Sequence, residues 1–326
     1  MLENFITKLN QGDLNIFKER LKKAKNILIF THQKPDADAI GSVMALARYL
    51  TRENKEFKIF LPEFLSESFF YLREPAIFIG QKEIAKEEPD LIIGMDCSNL
   101  DWSGAEEIFN KKREAGIFFV NLDHHTNSSF ANINIVDKQR SSTSLILYNI
   151  FKVWGVDIDD KMATQILAGL VADTNGFTNG ATNMESYLVS GELLELGARY
   201  NYVINKIKNK EHNNWFRLWS KVLSRLVRND KLKLAYSIVL SEDTEDGEST
   251  VLDGAANFLS NLSEMRVSMI LKEDKEGEIK VSLRSVDGQI DVARIANLFG
   301  GGGHVRAAGF AIKGRLEREG NYWQIV

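Results

Sequence analysis

Residues 26–50 read NILIFTHQKPDADAIGSVMALARYL, and they predict a strand, a polar loop and a helix in direct succession. Residues 26–31 are a short, β-rich apolar run between polar residues, which indicates a buried strand. Residues 39–50 place apolar side chains at helical spacing along one face. The polar loop between them therefore lies at the carboxyl end of a strand, the edge where open α/β sheets bind ligands.

The same alternation continues along the first half of the chain. Runs at residues 57–61, 91–95 and 117–122 predict further strands, and helix-compatible stretches such as residues 104–115 separate them. This pattern indicates an α/β fold with a mostly parallel sheet. Helical patterns dominate the chain from residue 141 to about residue 228, and we expect these helices to cover the sheet.

A second, smaller α/β domain is expected after residue 232. Its pattern is a strand at 232–240, a helix at 250–259 and a hairpin at 265–285 with a Glu-Gly turn. We therefore predict domains at 1–201 and 232–326, joined by a helical linker at 202–231. That linker interleaves Lys and Arg with aromatic residues. A connecting helix is the favoured interpretation, and a nucleic-acid-binding surface is the alternative.

The composition limits the possible functions. Of the 326 residues 44% are hydrophobic, which is ordinary for a globular protein, and no apolar run approaches the roughly 18 residues of a membrane span. We expect a cytoplasmic protein with no membrane partner. A net charge of -4 and a pI of 5.9 argue against coating of long nucleic acid, although a short anionic substrate remains compatible. The single cysteine, Cys97, excludes an internal disulfide and a Cys-rich zinc site, and we expect it to be a buried packing residue.

Acidic and imidazole residues recur at predicted strand ends or at a helix end. Carboxylates gathered at one sheet edge would repel one another without a cation, so these residues predict a metal site. Ligation by oxygen and imidazole without thiolate favours Mn²⁺, with Mg²⁺ or Co²⁺ as alternatives. For Asp38 taken alone, helix capping is the competing interpretation. The clusters are His32 with Asp36 and Asp38, then Asp96, then Asp123-His124-His125, and then Asp173.

These clusters resemble a known family. Residues 123–125 (DHH) resemble the signature of the DHH phosphoesterase superfamily, and residues 32–42 (HQKPDADAIGS) resemble its first motif. Two further aspartates stand where its second and fourth motifs belong, so the resemblance covers essentially the whole chain. It implies two divalent ions that activate a water for phosphoester hydrolysis. The implied ligands are His32 and Asp36 for one ion, Asp38, His124 and Asp173 for the other, and Asp96 for both.

The resemblance also assigns the two remaining members of the DHH signature. Asp123 would orient the neighbouring imidazole through a hydrogen bond, as carboxylates beside metal-bound histidines do. His125 would contact the scissile phosphate or assist the leaving group. A structural histidine bonded to the backbone is the alternative interpretation for His125.

A glycine run near the C-terminus is the second specific signal. Four glycines at 300–303 precede a histidine, and they allow close approach of a backbone to an anion. A flexible turn before a strand is the competing interpretation of this glycine run. For Arg284, the competing interpretation is an ordinary exposed arginine on a strand. The run resembles the GGGH motif of the DHH-associated C-terminal domain, which binds the nucleotide portion away from the scissile bond. The substrate-binding residues implied are Arg284, Gly301, Gly302, Gly303, His304 and Arg306.

The compact two-domain layout is most similar to the NrnA-like bifunctional oligoribonucleases and 3'-phosphoadenosine 5'-phosphate (pAp) phosphatases. This similarity implies hydrolysis of short RNA or DNA oligonucleotides or dinucleotides to mononucleotides, with removal of the 3'-phosphate of pAp as a further activity. A RecJ-like single-strand exonuclease and a catalytically slow nucleotide-binding sensor are the alternatives. Residues 175–179 (NGFTN) depart from the family pattern and leave substrate-end preference open. A homodimer is also left open.

Overall fold

A six-stranded sheet organises the first half of the chain, as the sequence predicts. The structure is a computed structural model that describes residues 9–63, 65–125, 128–208, 213–243, 255, 259, 264–286, 288–320 and 322–326. All neighbouring strands of this sheet are parallel, in the order β3-β2-β1-β4-β5-β6. The strands are β1 (Ile27–Phe30), β2 (Phe57–Phe60), β3 (Ile77–Ile79), β4 (Leu91–Met95), β5 (Phe118–Asp123) and β6 (Ile133–Val136).

Helices cover both faces of this sheet. Side chains of β1 alternate between two apolar clusters, with Ile29 in one and Phe30 in the other. Burial on both faces is why the central strands are almost continuously apolar. Short 3₁₀ helices span Glu67–Leu72 and Leu100–Ser103. The α-helices are α1 (Gln11–Lys23), α2 (Ala37–Arg52), α3 (Gln81–Ile84), α4 (Glu106–Glu114), α5 (Thr143–Trp154), α6 (Asp160–Asp173), α7 (Met184–Glu195) and α8 (Tyr200–Lys208).

Two glycines let α2 and α6 pack closely. A Cβ atom on Gly41 would lie 2.5 Å from the backbone oxygen of Gln165, and a Cβ atom on Gly169 would overlap the Ser144 hydroxyl and the Asp38 carboxylate. Neither helix could approach the other this closely with a larger residue at these positions. The close approach brings the first turn of α2 near α6.

A second six-stranded sheet forms in the C-terminal part of the chain, as expected for the predicted smaller domain. Its order is β11-β12-β10-β9-β8-β7, with one parallel pair, β8 and β9, and a separate two-stranded sheet pairs β13 with β14. Helices α9 (Asn213–Ser224) and α10 (Val292–Leu298) accompany it. The strands are β7 (Val227–Asn229), β8 (Leu234–Val239), β9 (Val267–Glu273), β10 (Glu278–Ser285), β11 (Gly302–His304), β12 (Ala307–Lys313), β13 (Leu316–Glu319) and β14 (Tyr322–Ile325).

The predicted hairpin at 265–285 is confirmed as β9 and β10, which pair antiparallel. The helix predicted at 250–259 lies outside the described residues except for Ala255 and Leu259, which are helical. Contacts divide the chain into units Met1–Lys210 and Glu211–Val326. The stretch 202–231 contains most of α8, all of α9 and β7 rather than a single helix, and its role as a linker stays a prediction. Within the described part of the chain, no helix has the length and apolarity to cross a membrane.

Candidate functional site

The six predicted metal ligands converge at the carboxyl edge of the parallel sheet. They come from loops and helix ends that are distant in sequence, and the first residues after β1, β4 and β5 supply half of them. This edge is where open α/β sheets bind ligands. His32 follows β1, Asp36 and Asp38 lie at the start of α2, Asp96 follows β4, His124 follows β5, and Asp173 ends α6.

Asp96 lies at the centre of this cluster. One of its oxygens, Oδ2, is 3.9 Å from Nε2 of His32, and the other, Oδ1, is 3.6 Å from Nε2 of His124 and 3.5 Å from Nδ1 of His125. His124 Nε2 is also 3.2 Å from Asp173 Oδ2. Three groups of donor atoms are close enough to hold a metal ion, and two of them include Asp96. The groups are His32, Asp36 and Asp96; Asp38, His124 and Asp173; and Asp96, His124 and His125.

The helix-capping interpretation of Asp38 is wrong, because Asp36 caps α2. The Asp36 carboxylate accepts hydrogen bonds from the backbone N–H groups of Asp38 at 2.8 Å and Ala39 at 3.0 Å. Asp38 is instead fully buried in the first turn of the helix. Asp36 therefore caps the helix through Oδ1 and also belongs to a donor group of the cluster, whereas Asp38 does not cap the helix.

The N-terminus of α5 holds two of the candidate ligands in place. The backbone N–H groups of Thr143 and Ser144 donate to the two oxygens of Asp38, at 2.6 and 2.9 Å, and the Thr143 hydroxyl donates to Asp96 Oδ1 at 3.0 Å. The positive end of a helix dipole favours a carboxylate at this position. The sequence does not predict these contacts, because residues 141 onward indicate only the start of helices that cover the sheet.

Thr143→Val is expected to weaken Mn²⁺ binding about 10- to 100-fold, the usual effect of removing a group that orients a metal ligand. Valine has nearly the same shape, but it cannot donate to Asp96. Thr51→Val on α2 is the matched control, because the Thr51 hydroxyl bonds only the backbone oxygen of Ala47 among the described contacts. Titration calorimetry with Mn²⁺ measures both variants, and unchanged affinity in Thr143→Val would contradict the positioning role.

The electrostatics of the cluster fit a cation. Burial raises the pKa of Asp96 well above its usual range, and repulsion by Asp38 and Asp36 raises it further. Burial, followed by repulsion from Asp38, likewise raises the pKa of Asp173 well above its usual range. Asp173 also ends a helix, where the dipole disfavours a negative charge. Divalent cations would relieve this repulsion, so the donor set fits the metal ions that the sequence predicts.

The backbone at Asp96 is in an unusual conformation. Its φ angle is +53°, in the left-handed region that Asn, Asp and Gly adopt most readily. The Asp96 N–H donates to the Leu122 carbonyl of β5 at 3.0 Å, which holds this turn against the sheet. Such conformations are concentrated at functional sites.

Asp123 bonds the imidazole of His125 rather than that of His124. Asp123 Oδ1 lies 2.8 Å from His125 Nδ1 and accepts the His125 backbone N–H at 2.9 Å. This hydrogen bond to the carboxylate raises the pKa of His125. Burial would raise the pKa of Asp123, but the hydrogen bonds from His125 outweigh it and lower that pKa. His125 thus bonds a carboxylate rather than the backbone, and its side chain is about half exposed, at 48%.

The segment that departs from the family pattern forms a tight turn next to Asp173. Asn175, Gly176 and Phe177 all have positive φ angles, of 49°, 66° and 67°. The Asn179 side chain donates to the backbone oxygen of Asp173 at 2.7 Å. This turn fixes the backbone that carries the candidate ligand, whatever its effect on substrate preference.

The predicted substrate residues of the C-terminal unit lie together at one end of its sheet. Arg284 on β10 pairs with Ala307 on β12, and Ala307 pairs in turn with His304 on β11. Arg306 belongs to the two-residue turn between β11 and β12. The structure therefore brings Arg284, His304 and Arg306 into neighbouring positions, although they come from separate sequence segments.

Glycines 301 and 303 are required by the fold itself. A Cβ atom on Gly301 would overlap the Gly309 carbonyl, and one on Gly303 would lie 2.5 Å from the Ala307 carbonyl. A Cβ atom on Gly302 would meet only Asn297 Oδ1, at 3.8 Å. The interpretation as a flexible turn is wrong for this part of the run, since residues 302–304 form β11. Packing does not require a glycine at position 302, so close approach of a ligand can explain the glycine there.

Cys97 is fully buried, as predicted for a packing residue. Burial raises the pKa of its thiol far above the usual range. The thiol donates to the Asn99 carbonyl at 3.1 Å. A protonated, buried thiol is a poor nucleophile and a poor metal ligand.

Comparison with known proteins agrees with this arrangement. Residues 26–172 match the N-terminal domain of the DHH family, and residues 231–321 match the DHHA1 domain. A Thermus thermophilus protein named bifunctional oligoribonuclease and PAP phosphatase NrnA is 29% identical over 307 residues, covering 92% of this chain and 89% of the relative. A Bacillus subtilis protein of the same name is 28% identical over 298 residues, covering 88% and 89%. The crystal structure of an exopolyphosphatase-related protein from Bacteroides fragilis superposes with a TM-score of 0.80 at 28% identity, covering 93% of this chain and 92% of that one.

Proposed function

The chain belongs to the DHH family and also carries a DHHA1 domain, and we propose that it cleaves short oligonucleotides to mononucleotides. Its relatives and its family make it a hydrolase acting on phosphoester bonds. Removal of the 3'-phosphate of pAp is a second activity of the same site. Relatives that match about nine tenths of this chain carry both activities in their names. The substrates proposed are short RNA or DNA oligonucleotides, including dinucleotides.

The observation that carries this proposal is the sharing of Asp96 between two sets of donor atoms. Asp96 groups with His32 and Asp36, and separately with His124 and His125, while His124 also groups with Asp38 and Asp173. In this proposal His32 and Asp36 would hold one ion, Asp38, His124 and Asp173 the other, and Asp96 both. When bound, two such ions lower the pKa of an attacking water and stabilise negative charge on the phosphoryl oxygens. Mn²⁺ is the first choice because the donors are carboxylates and imidazoles without thiolate, and Mg²⁺ or Co²⁺ are the alternatives.

The chain's own proton donor in this proposal is His125. Asp123 engages Nδ1 of its ring and raises its pKa, which favours the protonated imidazole. The exposed side of the ring then presents Nε2 to the leaving oxygen. Asp123 is accordingly the positioning residue for His125, and His125 is the residue that contacts substrate.

Arg284, His304 and Arg306 bind the substrate phosphate and the nucleotide portion away from the scissile bond in this proposal. Their clustering at one end of the second sheet supports this role. Two guanidinium groups and exposed glycine backbone suit an anion better than any other ligand class.

Gly302→Ala is expected to raise KM for a dinucleotide about 10-fold or more while the protein folds normally. An added methyl group has room in the fold, but it prevents close approach of a phosphate to the backbone, where a hydrogen bond to a charged group contributes about 1.5–3 kcal/mol. Gly191→Ala, at an exposed position of helix α7, is the control and should leave KM unchanged. Steady-state kinetics measures KM for both variants, and an unchanged KM in Gly302→Ala would contradict substrate binding by the glycine run.

A substrate panel tests the function directly. Purified protein with Mn²⁺ is given pAp, dinucleotides, longer RNA and single-stranded DNA, and the products are separated by chromatography. We expect metal-dependent release of mononucleotides from the short oligomers and of phosphate from pAp. Preference for long single strands would indicate a RecJ-like exonuclease. No metal-dependent product from any substrate would contradict the enzymatic proposal and leave a nucleotide sensor.

A further inference from the structure

An exposed tryptophan lies beside the candidate metal centre and has no role in the function proposed above. Trp102 belongs to the 3₁₀ helix Leu100–Ser103, and 57% of its surface is exposed. Its backbone oxygen accepts a hydrogen bond at 2.8 Å from the N–H of Gln33, the residue directly after the candidate ligand His32. The tryptophan is thereby tied to the same edge of the sheet as the metal ligands.

A cavity of about 720 Å³ lies at the ends of β2 and β3. Phe70, which lines it, is 49% exposed. The guanidinium carbon of Arg73 lies 5.6 Å from the ring centroid of Phe70 and 5.4 Å from that of Phe78. Two aromatic rings and a planar cation therefore face a single opening.

The backbone that follows Trp102 lies against a residue that lines the cavity. A Cβ atom on Gly104, two residues after the tryptophan, would lie 3.0 Å from the Pro62 ring and 3.4 Å from Gln33 Cβ. Pro62 lines the cavity. The Gln81 side chain, at the end of β3, donates to the Gly104 carbonyl. Residues 102–104 therefore bridge the end of β1 to the ends of β2 and β3.

The charges of this surface favour a base over a phosphate. Three carboxylates line the cavity with Arg73, and they would repel a phosphate. Within the described ranges, no salt bridge involves Arg73, and its guanidinium lies near the two phenyl rings named above. Nucleobases are uncharged, stack on aromatic rings and guanidinium planes, and offer N–H groups to carboxylates. The carboxylates are Glu63, Glu67 and Glu83.

We propose that Trp102, Phe70, Arg73 and Phe78 form a base-stacking surface for a single-stranded oligonucleotide whose scissile phosphate occupies the metal centre. Bases next to the cleaved bond stack first on Trp102 and then on Phe70 in the cavity. This inference rests on the proposed function and deepens it, because it makes base stacking on the first unit part of substrate selection. Isolated exposed apolar residues are ordinary, but here the backbone that follows one exposed aromatic lies against a residue of the cavity that another aromatic lines.

The test compares Trp102→Ala and Trp102→Phe with Ile16→Ala, which alters a side chain of similar exposure, 48%, on helix α1. The substrates are a five-nucleotide RNA and the same strand with abasic nucleotides flanking the cleaved bond. We expect KM for the normal RNA to rise about 5- to 100-fold in Trp102→Ala, the range for loss of one stacked base, and to change little in Trp102→Phe and Ile16→Ala. The abasic strand should not distinguish Trp102→Ala from the unaltered protein. Equal KM values for the normal RNA in these two proteins would overturn the proposal.

Binding of a labelled RNA analogue with non-hydrolysable linkages, followed by fluorescence anisotropy in the presence of Mn²⁺, separates this inference from the proposed function. If the unaltered protein cleaves no substrate, the proposed function fails, and the dissociation constants alone decide about the surface. A weaker complex with Trp102→Ala than with Trp102→Phe would support the base-stacking surface. Equal dissociation constants, or no binding by the unaltered protein, would overturn it.

Discussion

Asp96→Asn is expected to lower kcat by about three to four orders of magnitude. The change removes a charged oxygen donor from both proposed ions, so it weakens activation of the water and stabilisation of the phosphoryl oxygens together, each worth several kcal/mol. Asparagine is chosen because the residue has a φ angle of +53°, which asparagine tolerates and alanine does not. Single-turnover kinetics and the metal content of the purified variant measure the effect.

The stability of the same variant without metal separates a catalytic role from misfolding. Burial and repulsion raise the pKa of Asp96 in the folded protein above its value in the unfolded chain. As the pH rises past the unfolded pKa, this carboxyl therefore lowers the stability of the fold. Asparagine removes this penalty, and we expect an equal or higher Tm in EDTA at pH 7. Asp90→Asn, at the other end of β4, is the control for activity. Near-normal turnover in Asp96→Asn, or a clearly lower Tm, would contradict the account.

Arg140→Met is expected to destabilise the protein by about 3–5 kcal/mol, because it leaves the buried carboxylate of Glu185 without its cation. The side chains of Arg140 and Glu185 are each 2% exposed and form an ion pair. Arg140 also bonds Asp137 at 2.9 Å, and the other oxygen of Glu185 accepts from Asn149 at 2.8 Å. Urea unfolding in EDTA measures the change in free energy.

A second ion pair to helix α7 provides the control. Lys152 on α5 contacts Glu192 on α7 at 2.6 Å, but both side chains are partly exposed, so Lys152→Met should cost no more than about 1 kcal/mol. Combining Arg140→Met with Glu185→Leu removes both buried charges and should recover much of the lost stability. Similar losses in Arg140→Met and Lys152→Met would show that burial of the first pair has no energetic consequence.

The main strands of the first sheet could be predicted because they are buried on both faces. Leu91–Met95 is a continuous apolar run, and the prediction for it matches the structure residue for residue. The two edge strands were missed. Ile77–Ile79 has only three residues, and Ile133–Val136 alternates apolar and polar residues too briefly to indicate a strand.

The clustering of the six candidate ligands could also be predicted, because each residue lies at a strand end or a helix end that the local pattern reveals. The contacts that orient these residues could not. Thr143 bonds Asp38 and Asp96, which precede it by 105 and 47 residues, and no local pattern encodes such pairs. The choice between Asp36 and Asp38 as helix cap likewise depended on what surrounds each carboxylate in three dimensions.

Diffraction from crystals grown with Mn²⁺ tests the central claim most directly. An anomalous difference map recorded near the manganese absorption edge should show two peaks about 3.5–4 Å apart, with Asp96 contacting both. One peak should also contact His32 and Asp36, and the other Asp38, His124 and Asp173. A single peak, or peaks away from these residues, would contradict the two-metal phosphoesterase described here.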